Sequence, residues 1–123
     1  LVPRRSHHFL NSSGRSLERL TRGRPYNPAY IHPDDMAELG VQSGASIVIR
    51  SAHDAVLAVV ESDDTVRRGV IAMTHAFGGQ PDEDDRHREL GTSVSRLMAT
   101  DLDFDPISGI PRMGALPVAV API

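Results

Sequence analysis

The chain has 123 residues, 40% of them hydrophobic, enough to bury one core and too few for two. It contains no cysteine, which excludes disulfides, thiolate zinc sites, iron–sulfur ligation and a cysteine nucleophile within it, and leaves the redox compartment open. A formal charge of −3 argues against general nucleic-acid binding, and no run nears the roughly 18 apolar residues of a membrane helix.

The charge is uneven. Arg4, Arg5, Arg15, Arg19, Arg22 and Arg24 face only Glu18 in the first 24 residues, whereas DEDDRHRE (82–89) is acidic. All 13 basic side chains are arginine. The planar guanidinium suits phosphate and carboxylate partners, although source codon bias is the weightier reading of a lysine-free chain. Arg4 and Arg5 ahead of Phe9 and Leu10 echo a twin-arginine export signal, but no apolar run follows and that reading is rejected.

In chain order, SHHFLNSSG (6–14) comes first. A histidine pair beside a polar cluster fits a metal site, a base with its nucleophile, the wall of a ligand pocket, or a cloning remnant. The stretch YNPAYIHPDDMAELGV (26–41) contains the one clear helix. Pro33 suits its first turn, Asp34 and Asp35 favour the positive end of the helix dipole, Met36 and Leu39 make an apolar face, and Gly40 closes it. ASIVIRS (45–51) and AVLAVVE (55–61) read as paired strands joined by a tight AHD turn. GVIAMTH (69–75) is another strand.

HAFGGQPDEDDRHREL (75–90) reads as a loop too polar for a core element, and loops of that length are functional or disordered. SVSRLMA (93–99) predicts a short helical turn, DPISGIPR (105–112) turn material, and ALPVAVAPI (115–123) a closing strand. About six short strands with one or two small helices make a small barrel or sandwich, not a doubly wound sheet.

Chemistry from pattern alone is sparse. The histidines at 7, 8, 32, 53, 75 and 87 show no helical i, i+4 pair, so a metal site needs convergence in space. No GxSxG elbow supports a serine nucleophile, and Asp82 to Asp85 read as a solvated acidic loop. HAFGG (75–79) ends a strand with an aromatic and two glycines, which suits either a ligand approach or a plain turn, and pattern alone favours the turn.

Four segments in order resemble one family. RRSHHFLNSS resembles its first strand and polar turn. NPAYIHPDDMAELGVQSGASIVIRS resembles "N-P-x-x-x-H-P-x-D-A-x-x-L-G-I-x-x-G-D-x-V". VESDDTVRRGVIAMTHAFGG resembles "V-x-V-T-D-x-V-x-P-G-V-V-x-M-x-H-x-W-G". GTSVSRLMATDLDFDPISGIPRMGALPVAVAPI resembles the closing "G-x-N-x-N-x-L … D-P-x-S-G-x-P … V-x-V". The family is the C-terminal molybdopterin-guanine-dinucleotide-binding domain of molybdenum and tungsten oxidoreductases, the formate dehydrogenase, nitrate reductase and dimethyl sulfoxide reductase group.

The resemblance implies a six-stranded double-psi β-barrel with one or two short crossover helices, spanning 1–123 as a single domain. It further implies the C-terminal piece of a much longer oxidoreductase, in keeping with a start inside a strand without methionine. The implied cofactor is molybdopterin guanine dinucleotide. The metal ligand and redox chemistry lie in other domains, so this chain has no catalytic residue, binds no metal directly, and is inactive in isolation. The implied partners are the remaining domains of the same oxidoreductase, with no nucleic acid and no membrane, and the expected compartment is the cytoplasm.

The residues implied are as follows. His7, His8, Asn11 and Ser12 would face pterin and pyrophosphate with polar hydrogens suited to anionic oxygens, Asn11 and Ser12 bonding most directly and Arg5 as a charge partner. His75 would hydrogen-bond the cofactor, Gly78 and Gly79 would give the backbone room, and Thr92, Ser93 and Ser95 would hold its polar edges. The chain departs from the pattern at Ser93 and Ser95, where asparagines are usual, and at Phe77 for tryptophan, Ala45 for aspartate, and Met113–Gly114 for an aromatic–lysine pair. A serine hydroxyl is shorter than the amide it replaces and lacks its separate donor and acceptor. On this reading SHHFLNSSG is native sequence, not a remnant.

The alternatives are a free-standing small subunit like that of the formylmethanofuran dehydrogenases, or a double-psi barrel with an unrelated role. A pyruvoyl-dependent decarboxylase needs a Gly–Ser bond, which the sequence lacks, and a DNA-binding barrel calls for a net positive, basic face.

Overall fold

The computed structural model describes residues 1–8 and 10–123; Phe9, in the first of the quoted segments, lies outside them. Six strands form one mixed sheet: β1 (Val2–Arg4), β2 (Ala29–Ile31), β3 (Ser46–Arg50), β4 (Ala55–Ser62), β5 (Ile71–Thr74) and β6 (Ala119–Pro122), in the order β1-β5-β2-β4-β3-β6. β1–β5 and β2–β4 are parallel; β2–β5, β3–β4 and β3–β6 are antiparallel. This is the mainly β, six-stranded architecture expected. Between the two ends of the sheet, the Leu1 amine donates to the Leu116 carbonyl (2.5 Å) and the Leu116 N–H donates to the Leu1 carbonyl (2.9 Å).

The Val/Ile-rich pair behaves as its pattern dictates. Ile47 and Ile49 of β3, with Val56 and Ala58 of β4, point into the core, because successive side chains of a strand alternate faces. Ile31, Met73 and Leu97 join them at 2% exposure or less. Each such large aliphatic side chain contributes roughly 1.5–3 kcal/mol by leaving water.

The predicted helix is α2 (Pro33–Leu39), following a one-turn α1 (Glu18–Thr21) that the sequence pattern did not announce. The His32 imidazole caps α2 by accepting from the Asp34 N–H at 3.1 Å, and Gly40 ends it in the left-handed region at φ +69°. Met36 is its buried contact with the core.

The 75–90 stretch is more ordered than its polarity suggests. Its second half forms a 3₁₀ turn, Pro81–Arg86, running into α3 (His87–Leu90). Pro81 opens that turn and a reciprocal Gln80–Glu83 capping box fixes its start, a signal hidden by the surrounding acids. The Arg96 guanidinium holds Asp84 at 2.6 and 2.7 Å and Asp54 at 2.8 Å, while His87 Nε2 lies 2.8 Å from Ser46 Oγ. The predicted turn at 93–99 is the 3₁₀ segment Val94–Leu97, and the closing strand is confined to β6. No helix among the described residues is long and apolar enough to cross a membrane.

Candidate functional site

β1 and β5 run parallel and end side by side, with Arg4 opposite Thr74. Segments leaving the carboxyl ends of neighbouring parallel strands form a natural crevice for ligands. Here the departing segments are Arg5 to Gly14 and His75 to Gly79. β2 runs antiparallel to β5, so its approach, Tyr26 to Pro28, arrives at the same end. The end of α1 and the turn after it add Arg22 and Arg24 to the lining. The result is a cleft of about 340 Å³, next to a small hollow of about 80 Å³ lined by Asn11 and His75; the two share Arg5, Ser6 and Thr74.

The cleft is lined by cations and aromatics. Arg4, Arg5, Arg22 and Arg24 border it with His7 and His8, and no carboxylate is among its lining residues. Arg4 is committed within the fold: it pairs with Asp63 at 2.5 Å and stacks on the Tyr30 ring at 4.2 Å. The Asp63 carboxyl is held down to about 2 by the Thr65 hydroxyl, then by Arg4 and the Thr65 N–H. Arg24 lies 3.8 Å from Glu61, a loose pairing. Among the described residues, Arg5 and Arg22 form no ion pair. Arg22 sits at φ +55°, where a non-glycine residue is uncommon, as the last residue capping α1. Four guanidinium groups around one cavity, two of them outside any ion pair among the described residues, make a site for an anion.

A buried amide holds the floor in place. Asn27, 2% exposed, donates to the carbonyls of Thr74 (2.6 Å) and Thr92 (3.0 Å) and accepts the Thr92 N–H (2.7 Å). One side chain thereby ties the end of β5 to the 91–95 segment. Two glycines let these segments touch. At Gly78, φ +95°, a Cβ would collide with the Ser93 backbone; at Gly91, φ +78°, it would lie 2.7 Å from Asn27 Oδ1 and 2.8 Å from the Phe77 side chain. Both positions require glycine for conformation and for space.

The residues read from the sequence divide into two sets. His7 and His8 are exposed and line the cleft; Asn11 is exposed at φ +50°, and its Oδ1 lies 3.1 Å from His75 Nε2 beside the smaller hollow. Ser12 is on the exposed turn just beyond. These converge. The second set lies behind the floor: Thr92 is buried with its hydroxyl donating to the Leu57 carbonyl (2.6 Å), and Ser93 packs against Gly78. Gly79 packs against Glu83 and Leu90, and Ser95 is exposed on the 3₁₀ turn.

Arg22, Arg24 and Asn27 were not singled out by sequence. The signals were present, an arginine-rich start and the Asn–Pro that opens the helix-bearing segment, but the β2–β5 pairing is what brings Asn27 to the cleft, and α1 is what brings Arg22 and Arg24. Among the described residues, no three His, Asp or Glu side chains gather as a metal-holding group.

Comparisons with known proteins identify the family and the fold. The profile of the family described as molydopterin dinucleotide binding domain matches residues 1–117. A tetrathionate reductase polypeptide of Salmonella typhimurium is 29% identical over 97 residues, which are 79% of this chain and 9% of that protein. Acetylene hydratase from Pelobacter acetylenicus superimposes with a TM-score of 0.78 at 19% identity, over 99% of this chain and 18% of that one. The chain thus spans a small fraction of either relative, and the second likeness is one of fold. With the profile covering nearly its whole length, the chain belongs to the molydopterin dinucleotide binding domain family.

Proposed function

We propose that the arginine cleft holds the diphosphate of molybdopterin guanine dinucleotide, in the C-terminal domain of a longer molybdenum or tungsten oxidoreductase. The observation that carries this reading is the set of four arginines and two histidines around one cleft with no carboxylate in its wall. The donor set fits the group: guanidinium forks match phosphate oxygens in pairs, and Tyr26, Tyr30 and Phe77 supply flat surfaces beside them. Arg5 and Arg22, uncommitted to carboxylates, take the phosphate charge. His7, His8, Asn11, Ser12 and His75 hydrogen-bond the adjoining pterin and ribose edges.

Thr92, Ser93, Gly78 and Gly79 act one layer back, holding the loops that carry the donors. Ser95, exposed on its turn, bonds a polar edge of the cofactor from the outer side. When bound, the cofactor supplies the metal centre and its redox chemistry; this chain grips the tail and keeps it from turning. A cleft of about 340 Å³ encloses only part of a dinucleotide, so the remaining walls come from other domains of the same polypeptide. Cytoplasmic placement belongs to the same proposal.

One relative is named a reductase and the other a hydratase, which fits a domain that holds a shared cofactor while the reaction is set elsewhere. The test is the native polypeptide that carries this sequence. The proposal predicts a protein several times the 13.3 kDa of the chain, releasing guanine nucleotide and a fluorescent pterin on acid treatment. A native polypeptide of only 13.3 kDa would favour the free-standing form instead, and a long polypeptide without pterin would overturn the proposal.

A further inference from the structure

Residues Asp101 to Met113 fold on themselves. Asp105 Oδ1 accepts the N–H groups of Ile107 (3.0 Å) and Ser108 (2.7 Å) and the Ser108 hydroxyl (2.9 Å). The Asp105 N–H donates to the Ile110 carbonyl (2.9 Å), the Gly109 N–H to the Asp105 carbonyl (2.8 Å), and the Arg112 N–H to the Asp103 carbonyl (2.8 Å). Phe104 bridges to Pro111, and Arg112 reaches Asp103 Oδ2 at 3.4 Å. Among the described residues, every hydrogen bond and ion pair of this segment stays inside it. It is a stapled hairpin, not a slack loop.

Its apolar side chains point away from the domain. Ile107, at the tip, is 95% exposed, Leu102 78%, Ile110 61% and Phe104 45%. Isolated apolar residues on a surface need no explanation, but four on one preformed projection do. Ordering a loop before contact removes much of the entropy cost of docking it, so a self-ordered projection with an apolar tip is built to be buried.

We propose that the Asp101–Met113 hairpin is a docking key that seats Leu102, Ile107 and Ile110 in an apolar socket elsewhere on the same polypeptide. Size selects that occupant. A hairpin of this length offers well under the roughly 800 Å² per partner of a stable bimolecular interface, too little to hold a second copy. Within one polypeptide, a high effective concentration makes such a small contact sufficient. The chain's coverage of 9% and 18% of its two relatives leaves ample protein to form the socket. Asp101, Asp103 and Asp105 against Arg112 leave the key acidic, which calls for basic side chains on the socket's rim.

The inference rests on the proposal that the chain is one domain of a longer oxidoreductase, and the test separates the two. Amide exchange is measured on the native polypeptide and on its Ile107→Asp/Ile110→Asp variant, with pterin content determined on each. The expected result is a 101–113 peptide that exchanges at least about tenfold faster in the variant, since docking protection is then lost. A companion Ile107→Leu/Ile110→Asp variant, which keeps an apolar tip, retains part of the protection. Equal exchange in the native and doubly acidic proteins overturns the docking key. A wild-type dimer that the variant dissociates, seen by native mass spectrometry, assigns the hairpin to a second copy and also overturns it. Absent pterin with a protected hairpin counts against the cofactor reading alone.

Discussion

Asn27 and Thr92 hold each other by donor and acceptor at once: the Thr92 N–H donates to Asn27 Oδ1 at 2.7 Å, and Asn27 Nδ2 donates back to the Thr92 carbonyl at 3.0 Å. The two residues are 65 positions apart, and the same amide also binds the Thr74 carbonyl, so three backbone groups depend on one side chain. Asn27→Ala leaves these groups buried without partners and is expected to cost about 2–4 kcal/mol of stability. Asn27→Asp restores only the acceptor and sets a carboxylate against two carbonyls, so it fails to rescue. Chemical denaturation checks both; a loss under about 0.5 kcal/mol for alanine would remove Asn27 from its place as the floor's tie.

Glycines at the site and away from it separate shape from conformation. Gly78→Ala meets the Ser93 backbone and Gly91→Ala meets Asn27 and Phe77, whereas Gly44 and Gly109 share a positive φ but have open space where a Cβ would go. The expected loss is above about 2 kcal/mol for the first pair and about 1 kcal/mol for the second. Melting curves of the four variants give the ranking, and equal losses would show that packing at 78 and 91 adds nothing to backbone strain.

Acid sensitivity should trace to Asp63. Its carboxyl is held down to about 2, below the ordinary 3.8, by Thr65 and Arg4. A group whose folded pKa is depressed contributes stability above its unfolded value and loses it as pH falls toward the folded one. The contribution is therefore full above about pH 4 and fades between about 4 and 2. Asp63→Asn is expected to be less stable than the native chain at about pH 6 and to converge with it only at or below about pH 2. Parallel stability profiles across that window would contradict the assignment.

The parts legible in the sequence were those whose cause is local. Pro33, Asp34, Asp35 and Gly40 mark α2 because caps act within a few residues, and the Val and Ile alternation marks β3 and β4 because burial follows strand period. β2 was not legible: three residues between Pro28 and His32 become a strand only through pairing with β4 and β5. The Pro81–Leu90 helical run was masked by its charge, although Pro81 and the Gln80–Glu83 box announce it. Of the residues lining the cleft and its hollow, His7, His8, Asn11 and His75 were named through the family resemblance. Arg22 and Arg24 reach the cleft by way of α1, and no pattern within their own segment places them in one cleft with Arg5.

Changes away from the cleft should leave its charge untouched. Arg67 is exposed and borders neither the cleft nor the adjoining hollow, so Arg67→Ala serves as the control for loss of one positive charge. It is expected to leave anion binding within about twofold, because a distant exposed charge is screened by salt.

The most direct measurement is a calorimetric titration of the chain with inorganic pyrophosphate, comparing native protein, the Arg67→Ala control and Arg5→Ala/Arg22→Ala. A diphosphate gripped by two uncommitted guanidinium groups predicts affinity about 10–100-fold weaker in the double variant and an affinity that falls as salt rises. The same affinity in all three proteins would contradict the claim that this cleft holds the cofactor's diphosphate.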